Sequence, residues 1–249
     1  MDAPDSHFQG KSAVRHLEEA RKKGAGVIAE AHAGGSYTPL VLALGSLKEA
    51  IVLFAGLHIL TLFFFLRPHW SFFCIFSSAW VLWKGMIGAL TGWTRLDKLH
   101  RLIEEERYEI EHNRDEEREE LTALYTQKGF SDPLLTQVID VLMADDNRLL
   151  NVMIEEEFGV KPETFEHPLK QGIGSMIGAL VGATVLLIGV LTDSVRGLYV
   201  LFGIVYVIAV SIEAKREGSE PVSAFVWNGA VAALVVATIA FAAKIRIGT

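Results

Sequence analysis

Five apolar runs, at residues 39–66, 70–93, 172–191, 198–212 and 222–243, constrain this chain more than any other feature. Each is long enough, or nearly so, to cross about 30 Å of hydrocarbon as a helix. Lipid offers no partners for backbone N–H and C=O groups, so segments of this kind must bond internally, as helices do. The expected class is therefore all-α and integral membrane, with five transmembrane helices. Composition agrees: 51% of the 249 residues are hydrophobic and the mean hydropathy is +0.32, too apolar for an ordinary soluble domain of this length. The opening "MDAPDSHFQGKSAVRHLEEARKKG" is polar with no apolar core, so no cleavable leader is expected there and insertion must depend on the later helices. Cys74 is the only cysteine, which excludes a disulfide framework or a Cys-based zinc site within one chain.

The first two spans are separated by "RPH" at 67–69, where Pro68 stops helix continuation, so an antiparallel hairpin is expected. Basic residues orient the set. Lys11, Arg15, Arg21, Lys22 and Lys23, ten basic residues in 94–170, and Lys215 with Arg216 fall on one side; Arg67, Arg196, Lys244 and Arg246 fall on the other. The positive-inside rule then makes the N-terminus cytoplasmic and the C-terminus external. Four regions follow: an N-terminal cytoplasmic segment (1–38), spans one and two (39–93), a cytoplasmic insertion (94–170) and spans three to five (171–249).

The insertion carries the acidity. Residues 95–166 hold 20 Asp/Glu against 9 Lys/Arg, whereas the whole chain has a net charge of -7. Such a module repels nucleic acid and favours cations. It is expected to form three helices: a first from about 95 to 127, ending at Gly129; a second, "PLLTQVIDVLMAD"; and a third, "NRLLNVMIEEEF", stopping at Gly159.

Its densest stretch is "EEERYEIEHNRDEEREE" at 104–120. On a helix, residues i, i+3, i+11 and i+14 share one stripe. Glu106, Glu109, Glu117 and Glu120 have that spacing. Glu105, Glu116 and Glu119 lie mostly elsewhere and can be answered by Arg101, Arg107, Arg114 and Arg118. Two readings compete: a solvated face of alternating charge, or carboxylates gathered to bind a cation that reverses their mutual repulsion. In the third helix Met153 and Glu157 are four apart and put a thioether beside a carboxylate. Taken alone, Met153 is a core filler; as a ligand its sulfur favours softer transition metals over calcium or magnesium.

The order "LIEEERYEIEHNRDEEREELTALYTQKGF", "VIDVLMADDNRLLNVMIEEEFGV" and a Gly- and Ala-rich three-span end resembles the vacuolar iron transporter family of iron and manganese exporters. The resemblance covers about 95–245. It implies a cytoplasmic three-helix metal-binding module between spans two and three, with metal ligands at Glu106, Glu109, Glu117, Glu120, Met153 and Glu157. Ile154 stands where the family has a second Met. A homodimer is also implied, with iron(II) or manganese(II) as cargo, zinc(II) as a further candidate, and no tightly bound cofactor.

The membrane half departs from that family. An Asp-Gly pair is expected in the first span and a Ser-Met-x-x-Gly-Glu-Tyr stretch in the second, but the chain has "LALGSLKEAIVLFAGLHIL" and "WVLWKGMIGALTGWTRL". Lys48, Glu49, His58 and Lys84 are the strongly polar residues there. An intramembrane carboxylate costs roughly 2.5 to 3.5 kcal/mol on insertion scales, so Glu49 must face a partner or water; a neutralising pair with Lys84 and a place on the ion route are equal readings. Met86 is carried over as a second transport-route residue. Gly174, Gly178, Gly182 and Gly189 form a small-residue seam in the third span, for packing between spans or between protomers.

The reading is a transporter that exports or sequesters iron(II) or manganese(II) from the cytosol, in the cell inner membrane or a vacuole-type membrane, with metal ions, lipid and a second copy as partners. The rival is a non-transporting membrane protein whose acidic module senses metal or docks a partner. Enzymatic function is not expected: the phosphate-cradling Gly loop is missing, and so is the paired Glu-x-x-His of a di-iron bundle.

Overall fold

The computed structural model describes residues 15, 18, 19, 22, 38–64, 69–156, 158, 159 and 166–247. Eight helices are present among these: α1 (Pro39–Phe63), α2 (Trp70–His112), α3 (Arg114–Gln127), α4 (Leu134–Met143), α5 (Asp146–Glu156), α6 (Pro168–Leu191), α7 (Val195–Glu217) and α8 (Pro221–Ile247). Five of them, α1, α2, α6, α7 and α8, are long and apolar enough to cross a membrane. Residues 67 and 68, on which the expected hairpin turn rests, lie outside the described residues. The chain forms two compact units, one containing residues 94–165 and the other residues 34–93 and 166–249.

In the larger unit the helix starts follow local chemistry. Thr38 caps α1 by accepting from the Val41 N–H, with Pro39 in the first turn. His167 accepts from Leu169 N–H ahead of Pro168 in α6, and Ser194 accepts from Gly197 N–H to start α7. Side-chain acceptors satisfy amides that the first turn leaves without partners. At the far end of α7, Gly218 adopts φ 65, a left-handed conformation that glycine enters without a Cβ penalty.

The glycine seam is consumed within the chain. A Cβ on Gly174 or Gly178 would collide with the backbone of Pro39 or Ala43, and one on Gly182 would lie 2.6 Å from the Ala50 Cβ, so these three glycines seat α6 against α1. Gly189 faces Leu198 of α7. These contacts are packing between spans. On the other side of α6, Gly172 meets Gly85 and Ala89 of α2. Close backbone approach of this kind is what small residues permit in lipid, where no hydrophobic force drives helices together. Phe54, Ala50, Leu186 and Leu198 form the centre of the buried cluster. Helix α8 is peripheral: Ala243 is its only buried residue among those described.

The smaller unit has its own apolar core, in which Leu99, Leu102 and Ile110 of α2, Leu121 of α3, Ile139 and Met143 of α4, and Leu149, Met153 and Ile154 of α5 come together. Two expectations are corrected here. The second span does not stop where the apolar run does, because α2 continues unbroken for 43 residues to His112; hydropathy marks where lipid ends, and the helix continues into polar sequence. The helix expected over 95–127 is instead interrupted at Asn113, whose φ -123 and ψ 37 leave the helical region. Asn competes for its own backbone and is a poor helix former, and the ladder resumes with Glu117 N–H donating to Asn113 C=O at 3.1 Å.

Candidate metal centre

The core-facing positions of α2 and α3 show how the acidic block is built. Along α2 the inward side is Leu99, Leu102, Glu106 and Ile110; along α3 it is Glu117, Glu120, Leu121 and Leu124. Carboxylates occupy positions at which a helical bundle ordinarily places leucine. Glu106 and Glu117 are 1% exposed and Glu120 is 0% exposed; Glu109 is half-buried, whereas Glu104, Glu105, Glu111 and Glu119 are exposed. The stripe derived from spacing thus coincides with the buried side even though the helix breaks between its two halves.

A core acid is costly: moving an ionised carboxylate out of water carries a penalty of several kcal/mol per ion even after relaxation. Such groups are kept where cations, bound or covalent, answer them. Met153, on α5, is fully buried in the same core at 0% exposure. Glu157 lies outside the described residues. Among the described residues no three of His, Cys, Asp and Glu are grouped closely enough to form a metal-binding set, so the structure collects the glutamates on one side without closing a ligand sphere around a point.

The arginines of the block are not aimed where sequence reasoning placed them. Arg101 pairs with Asp97 at 2.9 Å, Arg114 with Asp146 at 2.6 Å and Arg118 with Asp140, in place of Glu105, Glu116 and Glu119. Arg114 also donates to the Met143 carbonyl at 2.5 Å. A guanidinium on a long stem spans two helices readily, and these contacts tie α3 to α4 and α5. Glu116 was missed as an inward residue: it is half-buried, and its Oε2 is buried without a hydrogen-bond partner. His112 is exposed, with its Nδ1 2.9 Å from the Tyr108 carbonyl and its ring stacked on Tyr108, as a solvated histidine would be.

Beside this core Tyr125 has its phenol pushed above the ordinary value of 10.0, first by burial and then by the Glu156 carboxylate, while Lys128 acts in the opposite direction. Lys128 bridges the two, pairing with Glu156 and lying 5.2 Å from the Tyr125 ring.

In the larger unit Glu49 is paired with Lys84 at 2.7 Å, and its side chain is 58% exposed. Lys48, the residue before it, is bound to Glu213 of α7 and donates to Asn228 Oδ1 of α8 at 3.0 Å. Glu213 and Asn228 were not singled out from the sequence. The fourth apolar run was bounded at residue 212, one short of Glu213; the available signal was Lys48 itself, since an ammonium in a span requires a counter-charge. Met86 is 63% exposed on the outside of α2, whereas Gly85, beside it, faces Met176 of α6. His58 is buried against Tyr199, 3.1 Å from its hydroxyl.

The family model for the VIT family matches residues 90–249. The chain belongs to the VIT family. The match takes in the acidic unit and the last three spans, more than half of the chain. No curated protein and no solved structure is matched. VIT proteins are membrane transporters of iron(II) and manganese(II), not enzymes. In this VIT chain the match begins at residue 90, so residues 1–89, with the first span and most of the apolar part of the second, lie outside it.

Proposed function

We propose that this protein moves iron(II) or manganese(II) out of the cytosol, and that Glu106, Glu109, Glu117 and Glu120, with Met153 and Glu157, capture the ion first. The observation that carries the reading is the burial of three glutamates at leucine-type positions of one small core. A divalent ion makes several carboxylates in one core favourable together, and carboxylate oxygens suit hard or borderline dications. One buried thioether adds affinity for iron(II) over calcium or magnesium. In this proposal the N-terminus and the module are cytoplasmic, the active unit is a homodimer, and Glu49 and Met86 border the route.

One observation favours the second reading, a membrane protein whose module senses metal without transport: the intramembrane charges are already matched, Glu49 to Lys84 and Glu213 to Lys48. Reconstitution into liposomes separates the two. Transport predicts uptake of manganese(II) that E117Q/E120Q abolishes. Binding without flux in the unmodified chain leaves the sensor.

A further inference from the structure

A cavity of about 630 Å³ lies within the larger unit, floored by α1 from Gly45 to Leu60 and walled by Phe76 and Trp80 of α2, Tyr206 of α7 and the inner side of α8. The sixteen residues of α1 from Gly45 to Leu60 are about 24 Å of helix, so the cavity runs along most of the depth of a hydrocarbon core. Its lining is apolar apart from one end, where Lys48, Glu49, Tyr206 and Asn228 meet. There the Lys48 ammonium sits between the Glu213 carboxylate and Asn228 Oδ1, the latter at 3.0 Å. Asn228 is held in place from both sides: its amide donates to the Ala224 carbonyl at 2.9 Å, and Tyr206 donates to its backbone carbonyl at 3.0 Å. The Lys48 and Glu213 side chains are only 16% and 15% exposed.

An ammonium fixed between a carboxylate and an amide oxygen is chemically a bound cation on a tether. We propose that Lys48 occupies a cation site in the membrane half made by Glu213 and Asn228, and that a free cation binds there only by displacing it. Both donors are oxygens, so the site takes a hard or borderline cation such as manganese(II). The lysine stem is flexible, so the released ammonium can stay at the polar end of the cavity, which Glu49 and Tyr206 also line. Lys84 pairs with Glu49, which lines the same cavity, but that carboxylate is 58% exposed. Lys48 then acts as a gate: with the ammonium in place the site is neutral, and the entering ion must outcompete a neighbour tethered to the same chain. Only the identity of the ion rests on the transport reading; the site does not.

The test uses the full chain with the acidic unit silenced by E106Q/E117Q/E120Q, and manganese(II) as the probe. Adding K48Q is expected to tighten manganese(II) binding about tenfold or more, the ratio equivalent to roughly 1.4 kcal/mol, and adding E213Q as well is expected to remove that gain. Folded K48Q protein that binds no more tightly, or whose gain survives E213Q, overturns the proposal. Should K48Q fail to fold, amine-reactive labelling of the silenced chain decides: manganese(II) must increase modification of Lys48, and unchanged labelling at the highest concentration the protein withstands refutes displacement. Failure of the acidic-unit reading is seen separately, as equal binding by the unmodified and silenced chains.

Discussion

Replacing Glu117 and Glu120 together by glutamine separates a metal-binding core from an ordinary one. The two residues are 1% and 0% exposed and share a side of α3 with Leu121 and Leu124. Each ionised carboxylate at such a position carries a desolvation penalty of several kcal/mol, and like charges three apart on a helix add a few tenths more. Glutamine keeps the shape and removes the charge, but its buried amide still needs hydrogen bonds, which offsets part of the gain. Each of the two also has an interaction of its own within the fold, so in the metal-free protein the lost charge and the lost contact act in opposite directions, and the deciding quantity is the change on adding metal. With manganese(II) at about a hundred times its dissociation constant, the unmodified protein gains about 2.7 kcal/mol, near a hundredfold in exchange rate, whereas E117Q/E120Q gains none. Hydrogen-exchange mass spectrometry of the full chain reads both effects on peptides covering residues 114–127. Full manganese(II) protection in the variant refutes the ligand assignment.

Met153 is fully buried in the small core, so Met153→Ala is expected to cost about 2–5 kcal/mol, whereas Met153→Leu costs under about 1.5 kcal/mol and shifts the iron(II)-to-manganese(II) preference toward manganese(II); thermal unfolding and competition binding measure the two. Gly178→Ala drives a methyl into the Ala43 backbone and is expected to lower the melting temperature in detergent, whereas Gly203→Ala, with open space around it, leaves the packing unchanged. The Tyr125 phenol ionises above 10.0 in the folded protein, so its contribution to stability is intact below pH 10 and disappears as pH rises through its folded value; Glu156→Gln is expected to lower that midpoint in an ultraviolet titration. A midpoint raised by Glu156→Gln contradicts the assigned charge effect.

The five spans were legible because lipid imposes length and hydropathy together, and α1, α2, α6, α7 and α8 begin within a few residues of the apolar runs. Their polar-side ends were not, because α2 passes from apolar to charged sequence without a stop signal and α7 extends to Glu217. That extension hid Glu213. Helical spacing puts Glu106, Glu117 and Glu120 on one stripe but not on the inward side, since a face repeats regardless of which residue types fill it and an acidic stripe reads equally as a solvated one; their burial is seen only in the fold. The break at Asn113 left one weak trace, a poor helix former in a charged run; the Arg101–Asp97 pair, four apart on α2, follows from helical spacing, whereas the Arg114 and Arg118 contacts left no trace, because Asp146 and Asp140 become their neighbours only through the packing of the helices.

Manganese(II) titration of the full chain, followed through loss of the free-ion paramagnetic resonance signal, tests most directly whether the buried glutamates are a cation site. Saturable binding by the unmodified protein that falls by at least about tenfold in affinity in E106Q/E117Q/E120Q, while E105Q/E119Q binds as before, is the predicted result, one tenfold step being roughly 1.4 kcal/mol. Equal loss from the exposed and the buried substitutions, or no loss from either, contradicts it.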